Sequence, residues 1–189
     1  RTPLTSLKMG SEVALMDKHA DKKSLQDALA SSLEDASKME LLINNLLRLT
    51  KLDTEDMQAA FAPLKTGPLV AAAVRQVQPI ATSRSITLNV KTHSYACSGD
   101  RDSLVQALVI LLDNAVKYSS NGASVTIADH QVDGTVQLSI RDNGPGIPTK
   151  DLPHIFDRFY RSNSARTKDQ TGEGFGLGLS IAKLIVDSH

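Results

Sequence analysis

The stretch Gly172–Ile181 reads GEGFGLGLSI, with glycine at four alternate positions and an apolar helix pattern directly after them. Glycine is favoured where the backbone must approach another group closely or take a positive φ. A glycine turn that opens onto a helix presents free N–H groups and the positive end of the helix dipole, which together bind anions such as phosphate. The stretch therefore predicts a phosphate site, with a plain flexible loop before a helix as the alternative.

Composition excludes several classes of partner and fold. The 189 residues carry 21 basic and 21 acidic side chains, a balance that indicates neither a nucleic-acid nor a membrane-surface partner. Cys97 is alone, which excludes a disulfide framework and fits a reducing cytosol. No apolar run reaches the ~18 residues that cross a bilayer, and no signal peptide opens the chain. Because the first residue is Arg1 rather than methionine, we expect a piece of a longer protein.

The N-terminal part, residues 1–58, is predicted to form a helical hairpin. One helix covers residues 4–18, and a second begins after a polar break, with Ser24 as its cap, and runs to about Leu52. The apolar stripe of the second helix comprises Leu25, Leu29, Leu33, Ala36, Met39, Ile43, Leu46 and Leu47. So short a hairpin has little core of its own, so we expect two copies to form a four-helix bundle, and hence a homodimer.

Residues 59–68 contain two prolines and a glycine and are interpreted as a linker before a second domain at residues 69–189. In that domain helices are predicted at Leu69–Ser83, at Asp100–Tyr118 and from Gly178 onward. A strand is predicted around Ile86–Val90, and an antiparallel pair, Val125–Ile127 with Thr135–Ile140, is predicted around Asp133-Gly134. The whole chain is therefore of the α+β class.

The helix Asp100–Tyr118 carries a polar cluster at its C-terminal end. Asn114, Lys117 and Tyr118 lie at i, i+3 and i+4, so they can reach one ligand together. An amide oxygen suits a hard cation such as Mg²⁺, and a lysine suits phosphate. A solvated helix face is the alternative interpretation.

A second cluster is Asp142–Gly146, at the end of the last predicted strand. Counting by twos from Val136 places Asp142 on the apolar side of the strand. An inward carboxylate must find hydrogen-bond donors, and the amino group of a planar base would be one. The alternative is an Asp/Asn-Gly turn in which the carboxylate caps local N–H groups.

A third cluster is Ile155–Arg161, followed by a loop with Arg166 and Lys168. Phe156 and Phe159 are interpreted as anchors of a mobile lid whose basic residues contact phosphate, or else as the pins of an ordinary surface loop. No Walker A lysine follows the glycines, and the third-glycine spacing of a Rossmann turn is absent. Serine-nucleophile and zinc motifs are absent too.

The order of these motifs resembles the catalytic core of bacterial two-component sensor histidine kinases. The matching segments are Leu104–Ser119 (N box), Asp142–Gly146 (G1), Ile155–Arg161 (F box), Gly172–Ile181 (G2) and Arg1–Thr5 (end of the H box). The resemblance covers nearly the whole chain. It implies a dimerisation and phosphotransfer hairpin followed by a Bergerat-type α/β sandwich of the histidine kinase and Hsp90-like ATPase class, with ATP and Mg²⁺ as cofactors.

The resemblance also implies residue roles. Asp142 would bind the adenine amino group, and Asn114 would hold Mg²⁺ on the phosphates. Lys117 and Tyr118 would lie beside the phosphates and the ribose, and Arg161 would steady the γ-phosphate. The other implied nucleotide-binding residues are Gly144, Gly146, Gly174, Phe175, Gly176, Leu177 and Gly178.

Lys117, Arg161 and Thr2 are the implied catalytic residues, with Thr2 orienting water for dephosphorylation of the partner. That partner is a response regulator receiver domain. The implied location is the cytoplasmic portion of an inner or plasma membrane protein, whose membrane segments would lie outside this chain.

Three departures from the family pattern stand out. Ile110 occupies a position where the family often has a second asparagine. The phosphoacceptor histidine and its acidic neighbour would precede Arg1, and two further strands would follow His189. As printed, the chain also fits a nucleotide-binding pseudokinase or interaction module without a phosphoacceptor. A Bergerat ATPase of the topoisomerase or chaperone type is a further alternative, against which the hairpin argues.

Overall fold

The computed structural model of the chain describes residues 9, 12–14, 16, 21–51, 61–161 and 176–189. It divides into two compact units, Arg1–Thr50 and Lys51–His189. Among the described residues, no helix combines the length and the apolar character needed to cross a membrane.

The first unit contains helix α1, Lys22–Lys51, and helical backbone at residues 9, 12–14 and 16. Helix α1 begins two residues earlier than its predicted cap at Ser24, because Asp21 Oδ1 accepts a hydrogen bond from the Ser24 N–H at 2.7 Å. Four side chains of the predicted apolar stripe of α1 are exposed in the single chain. Leu25, Leu29, Leu33 and Ile43 are between 42% and 69% exposed. The polar break predicted at Asp21–Lys23 is wrong in its extent, because Lys22 and Lys23 already belong to α1; residues 17–20, just before it, lie outside the described residues.

The second unit alternates helices and strands. Its elements are β1 Ala62–Lys65, α2 Thr66–Ser83, β2 Thr87–Lys91, β3 Ala96–Gly99, α3 Arg101–Tyr118, β4 Ser124–Val132, β5 Thr135–Arg141, a 3₁₀ turn Leu152–His154, and α4 Gly178–Asp187. The helices and the strands β2 and β5 lie where the sequence predicts them, within a few residues, whereas β4 continues five residues beyond its predicted end at Ile127. The α+β fold class is therefore confirmed.

The larger sheet has the strand order β2-β4-β5. Strand β4 runs parallel to β2 and antiparallel to β5, with Ile127 opposite Ile140. Asp133 and Gly134 connect β4 to β5 with φ of 50° and 81°. Positive φ at both central residues is the mark of the hairpin turn that matches the twist of the strands. This hairpin was predicted from the sequence and is confirmed.

Strands β1 and β3 form a second, two-stranded antiparallel sheet that the sequence did not predict. Ala62 pairs with Gly99, and Lys65 pairs with Ala96. Residues 62–68, interpreted above as linker, thus form β1 and the start of α2. Pro63 lies in an edge strand and Pro68 in the first turn of a helix, two places where the missing N–H of proline does no harm.

The core lies between α2, α3 and one face of the larger sheet. Helix α2 packs on β2 and α3, and α4 packs on α3. The largest fully buried apolar side chains are Leu69, Val70, Leu112, Val116, Val125, Ile127, Leu177, Ile181 and Ile185. Helix α3 is therefore covered on one side by the core and on another by α4.

Asp129 is a fully buried carboxylate on β4 that connects three segments of the second unit. It accepts hydrogen bonds from the Thr66 hydroxyl and from the backbone N–H groups of His93 and Ser94, at 2.5, 2.6 and 3.0 Å. Burial alone would raise the pKa of Asp129. These hydrogen bonds outweigh the effect of burial and lower the pKa to about 2.

We expect Asp129→Asn to lower the free energy of unfolding by about 3 kcal/mol at pH 6, because a buried hydrogen-bonded charge is lost. The carboxylate stabilises the fold above its unfolded pKa of about 4, and this contribution disappears as the pH falls toward 2. The difference between parent and variant in urea unfolding should therefore shrink from pH 6 to pH 3. Asp133→Asn, at the exposed hairpin turn, is the control. An equal difference at both pH values would contradict the prediction.

Candidate active site

Helix α3 presents the first predicted cluster. Its start is fixed by Asp100, whose carboxylate accepts a hydrogen bond from the Ser103 N–H at 3.2 Å. At its other end Asn114 and Lys117 are half-buried and Tyr118 is 39% exposed. Lys117 Nζ forms an ion pair with Asp113 Oδ2 at 2.8 Å. Asp113 was missed from the sequence, although its spacing four residues before a lysine signals such a pair.

The Asp142 loop differs from its predicted geometry. Asp142 is exposed, and its Oδ1 accepts a hydrogen bond from the Gly144 N–H at 2.7 Å. The local capping interaction, given above as the alternative, is therefore present, and the predicted inward burial is wrong for this structure. The physical reason is that β5 ends at Arg141, one residue before Asp142. The alternation of inward and outward side chains along the strand therefore does not extend to Asp142.

Gly144 brings this loop to the end of helix α3. A Cβ atom on Gly144 would lie 2.9 Å from the Tyr118 carbonyl oxygen and 2.7 Å from Asp142 Oδ1, so only glycine fits. The first and second clusters therefore meet. Gly146 lies two residues further on and is exposed.

The third cluster is held by polar contacts rather than by its aromatic rings. Phe156 and Phe159 are 44% and 60% exposed, so the prediction that they are the anchors is wrong. The Tyr160 hydroxyl instead donates to the buried Asp151 at 3.0 Å. Partial burial, this hydrogen bond and nearby carboxylates raise the pKa of Tyr160, so its hydroxyl stays protonated as the donor.

Gly176 joins the third cluster to the glycine stretch. The Phe159 N–H donates to the Gly176 carbonyl at 2.9 Å. Gly176 has a φ of 69°, and a Cβ there would lie 2.5 Å from the Tyr160 carbonyl oxygen. Arg161, half-buried, is the last described residue before the segment 162–175.

Helix α4 begins at Gly178, directly against the middle of α3. A Cβ on Gly178 would lie 3.2 Å from Ile110 Cγ2. Leu177, just before it, is 2% exposed and caps the helix without a side-chain hydrogen bond. Because Ile110 is one turn from Asn114, the positive end of the α4 dipole starts close to the polar cluster of α3.

Contacts thus connect α3 to the Asp142 loop and to the start of α4, and connect Phe159 and Tyr160 to Gly176. Of the predicted site residues, Thr2, Gly174 and Phe175 lie outside the described residues, as do Arg166 and Lys168. Within the described ranges, no group of three or more His, Cys, Asp or Glu side chains is arranged to hold a metal ion.

Two family models match the chain. The phospho-acceptor domain of His Kinase A matches residues 1–55, and the histidine kinase-, DNA gyrase B- and HSP90-like ATPase family matches residues 99–189. The sensor histidine kinase YkoH of Bacillus subtilis is 38% identical over all of this chain and 40% of its own length. The chain spans about 40% of the length of the curated relatives it matches.

Solved structures agree with these matches. The mycobacterial sensor histidine kinase MprB is 32% identical, with a TM-score of 0.60 over 68% of this chain and 79% of that chain. The Acinetobacter baumannii histidine kinase AdeS is 23% identical, with a TM-score of 0.73 over 100% of this chain and 85% of that chain. The likeness to AdeS concerns the fold alone.

Proposed function

Because this chain belongs to the two-component sensor histidine kinases and contains their catalytic core, we propose that it binds ATP with Mg²⁺ and catalyses phosphorylation of a histidine. The phosphoryl group then passes to an aspartate of a response regulator. The observation that carries the proposal is the meeting of α3 with the Asp142 loop and with the start of α4. This arrangement supplies a carboxylate, an amide, a lysine and a helix N-terminus along one site.

Each end of the nucleotide has a matching group. Asp142 keeps one carboxylate oxygen on Gly144 and offers the other to the adenine amino group. Lys117 and Tyr118 lie on the same turn of α3, where they serve the phosphates and the ribose. Gly174, Phe175, Gly176, Leu177 and Gly178 are proposed to bind the triphosphate, and Arg161 is proposed to steady its γ-phosphate.

The donor set fits Mg²⁺. The cation prefers oxygen ligands and commonly uses one or two protein ligands together with substrate phosphates and water. Asn114 is half-buried, and its amide oxygen suits such a site without an acidic cluster. When bound, Mg²⁺ neutralises charge on the phosphates. Ile110, at the position where the family often has a second asparagine, cannot bind the cation, because its apolar side chain lies against Gly178. The proposed Mg²⁺ ligand on this part of α3 is therefore Asn114.

Phosphoryl transfer requires little covalent chemistry from the protein, so positioning and charge neutralisation carry the catalysis. The bond from the γ-phosphorus to the bridging oxygen of ADP breaks as a bond to the histidine nitrogen forms. Lys117, Arg161 and the N-terminus of α4 stabilise the charge on the transferred group. Thr2 is proposed to act in a separate reaction, in which it orients water for dephosphorylation of the regulator.

The N-terminal hairpin is proposed to pair with a second copy. The exposed apolar side chains of α1, among them Leu29 and Leu33 at more than 60% exposure, support this pairing because so much apolar surface is costly in water. Light scattering at micromolar concentration should give the molar mass of two chains. The mass of one chain would contradict a homodimer.

Labelled ATP tests the enzymatic part of the proposal. The chain extended upstream of Arg1, incubated with γ-labelled ATP and Mg²⁺, should acquire an acid-labile, base-stable label that later moves to a response regulator.

We propose that this extended protein is membrane-bound with the present chain on the cytoplasmic side. The labelling experiment has two further outcomes. Nucleotide binding without any label would instead support the pseudokinase. If the protein neither binds ATP nor acquires label, the proposed nucleotide site is wrong.

A further inference from the structure

The C-terminal end of α3 lacks the usual glycine closure. The last carbonyl groups of a helix have no partner within the helix and are often satisfied by a following residue in the left-handed conformation. Here the cap residue Ser119 is extended, with a φ of −72° and a ψ of 153°. Two of the end carbonyls are satisfied from elsewhere. Arg84 Nη1 donates to the Val116 carbonyl at 3.0 Å and to the Lys117 carbonyl at 2.6 Å.

Arg84 is itself held on both sides. It caps helix α2, and its N–H donates to the Ala81 carbonyl at 3.2 Å. Its own carbonyl accepts a hydrogen bond from the N–H of Gly122, in the loop between α3 and β4. The side chain is half-buried, so its hydrogen bonds are less screened by water than those of an exposed arginine. A guanidinium at this place also complements the negative end of the α3 dipole.

The turn that Arg84 holds is the turn that meets the Asp142 loop. The Tyr118 carbonyl follows directly after the two carbonyls that Arg84 binds, and it lies 2.9 Å from the Cβ position of Gly144. Gly144 in turn donates its N–H to Asp142. A shift of the last turn of α3 would therefore move Lys117 and Tyr118 and release the surface against which the Asp142 loop rests.

We propose that Arg84 is a positioning residue of the nucleotide site, which clamps the end of α3 against the Asp142 loop without touching the nucleotide. This role rests on the function proposed above. Because the clamp acts at the end of the site that holds the base, its loss weakens the binding of adenosine as well as that of ATP. A residue that serves only the phosphates would affect ATP alone.

Arg84→Met tests this role, because methionine keeps an apolar stem and removes the donors. Calorimetric titration should show adenosine bound about tenfold more weakly, the equivalent of one charge-assisted hydrogen bond, and ATP weakened at least as much. Arg84→Lys, which keeps the charge and one donor group, should restore most of the affinity, leaving about a threefold loss. Arg101→Ala is the matched control, because Arg101 lies at the opposite end of α3 and pairs with the exposed Asp102.

Each outcome is decisive. If Arg84→Met lowers the melting temperature but binds both ligands like the parent, Arg84 is merely structural and the proposal is overturned. If only ATP is weakened, the clamp does not act at the base and the proposal is likewise overturned. Should Arg84→Met not fold, Arg84→Lys decides, since parental affinity for both ligands would contradict the clamp. A parent chain that binds neither ligand overturns the proposed function, and the positioning role with it.

Discussion

Replacing Asp142 with asparagine is expected to weaken the binding of ATP and of adenosine about 100-fold. A hydrogen bond to a charged group contributes about 1.5–3 kcal/mol, and each 1.4 kcal/mol is about a factor of ten. Asparagine has the size of aspartate and can still accept the Gly144 hydrogen bond through its oxygen. Its other atom becomes an NH₂ donor, which would face the donor amino group of the base. The loss should therefore come from the ligand contact rather than from the loop.

Calorimetric titration of the parent and Asp142→Asn measures this effect directly. The control is Asp102→Asn, which removes an exposed carboxylate from the opposite end of α3 and should leave both affinities unchanged. The two variants should also unfold at the same urea concentration as the parent. If Asp142→Asn binds ATP as tightly as the parent, the assignment of the adenine site to Asp142 is wrong.

Replacing Gly176 with alanine should disrupt the link between the third cluster and the glycine stretch. The added Cβ would meet three backbone atoms, the Tyr160 oxygen at 2.5 Å, the Phe159 carbon at 2.7 Å and the Tyr160 nitrogen at 2.9 Å. Backbone atoms cannot rotate away as a side-chain end can, so the hydrogen bond from Phe159 to Gly176 must break. The positive φ adds a strain of about 1 kcal/mol. We expect ATP affinity to fall about tenfold or more, with adenosine less affected.

Gly134 provides the matched control for the Gly176 variant. It has a φ of 81°, but a Cβ there would meet nothing within 4 Å. Gly134→Ala therefore carries the backbone strain alone, and its nucleotide affinity should equal that of the parent. Nucleotide titration and urea unfolding of both variants separate strain from close approach. Equal effects of the two substitutions on ATP affinity would rule out a special role for the Gly176 contact.

Elements with a strong periodic pattern were predictable because their periodicity is local. The helices α2, α3 and α4 and the β4–β5 hairpin follow from apolar spacing and from Asp133-Gly134. Strands β1 and β3 were not predictable, because each is four residues long and is stabilised by pairing with a strand some 30 residues away. Pro63 and Pro68 signalled a break, yet an edge strand and a first helical turn tolerate proline.

The candidate site likewise has features that the local sequence predicted and features that it did not. Residue types and motif order predicted Asn114, Lys117, Asp142 and the glycine stretch as site residues, because phosphate, cation and base each require particular chemical groups. The exposure and orientation of the side chains were not predicted correctly. Asp142 is exposed where alternation predicted burial, and Phe159 is exposed where its type suggested an anchor. Arg84 carried no sequence signal, because its partners are main-chain carbonyls more than 30 residues away.

By itself, the sequence determined which chemical groups the candidate site contains. The glycines of Gly172–Ile181, the polar end of α3 and the Asp142 turn are local choices of residue, and each predicts its own kind of ligand group. Only the tertiary structure decided how these groups meet. Gly144 reaches Tyr118 and Gly178 reaches Ile110 because a shared core packs α3 between the sheet and α4. Such close approaches depend on the burial of residues far apart in the chain, which no local pattern records.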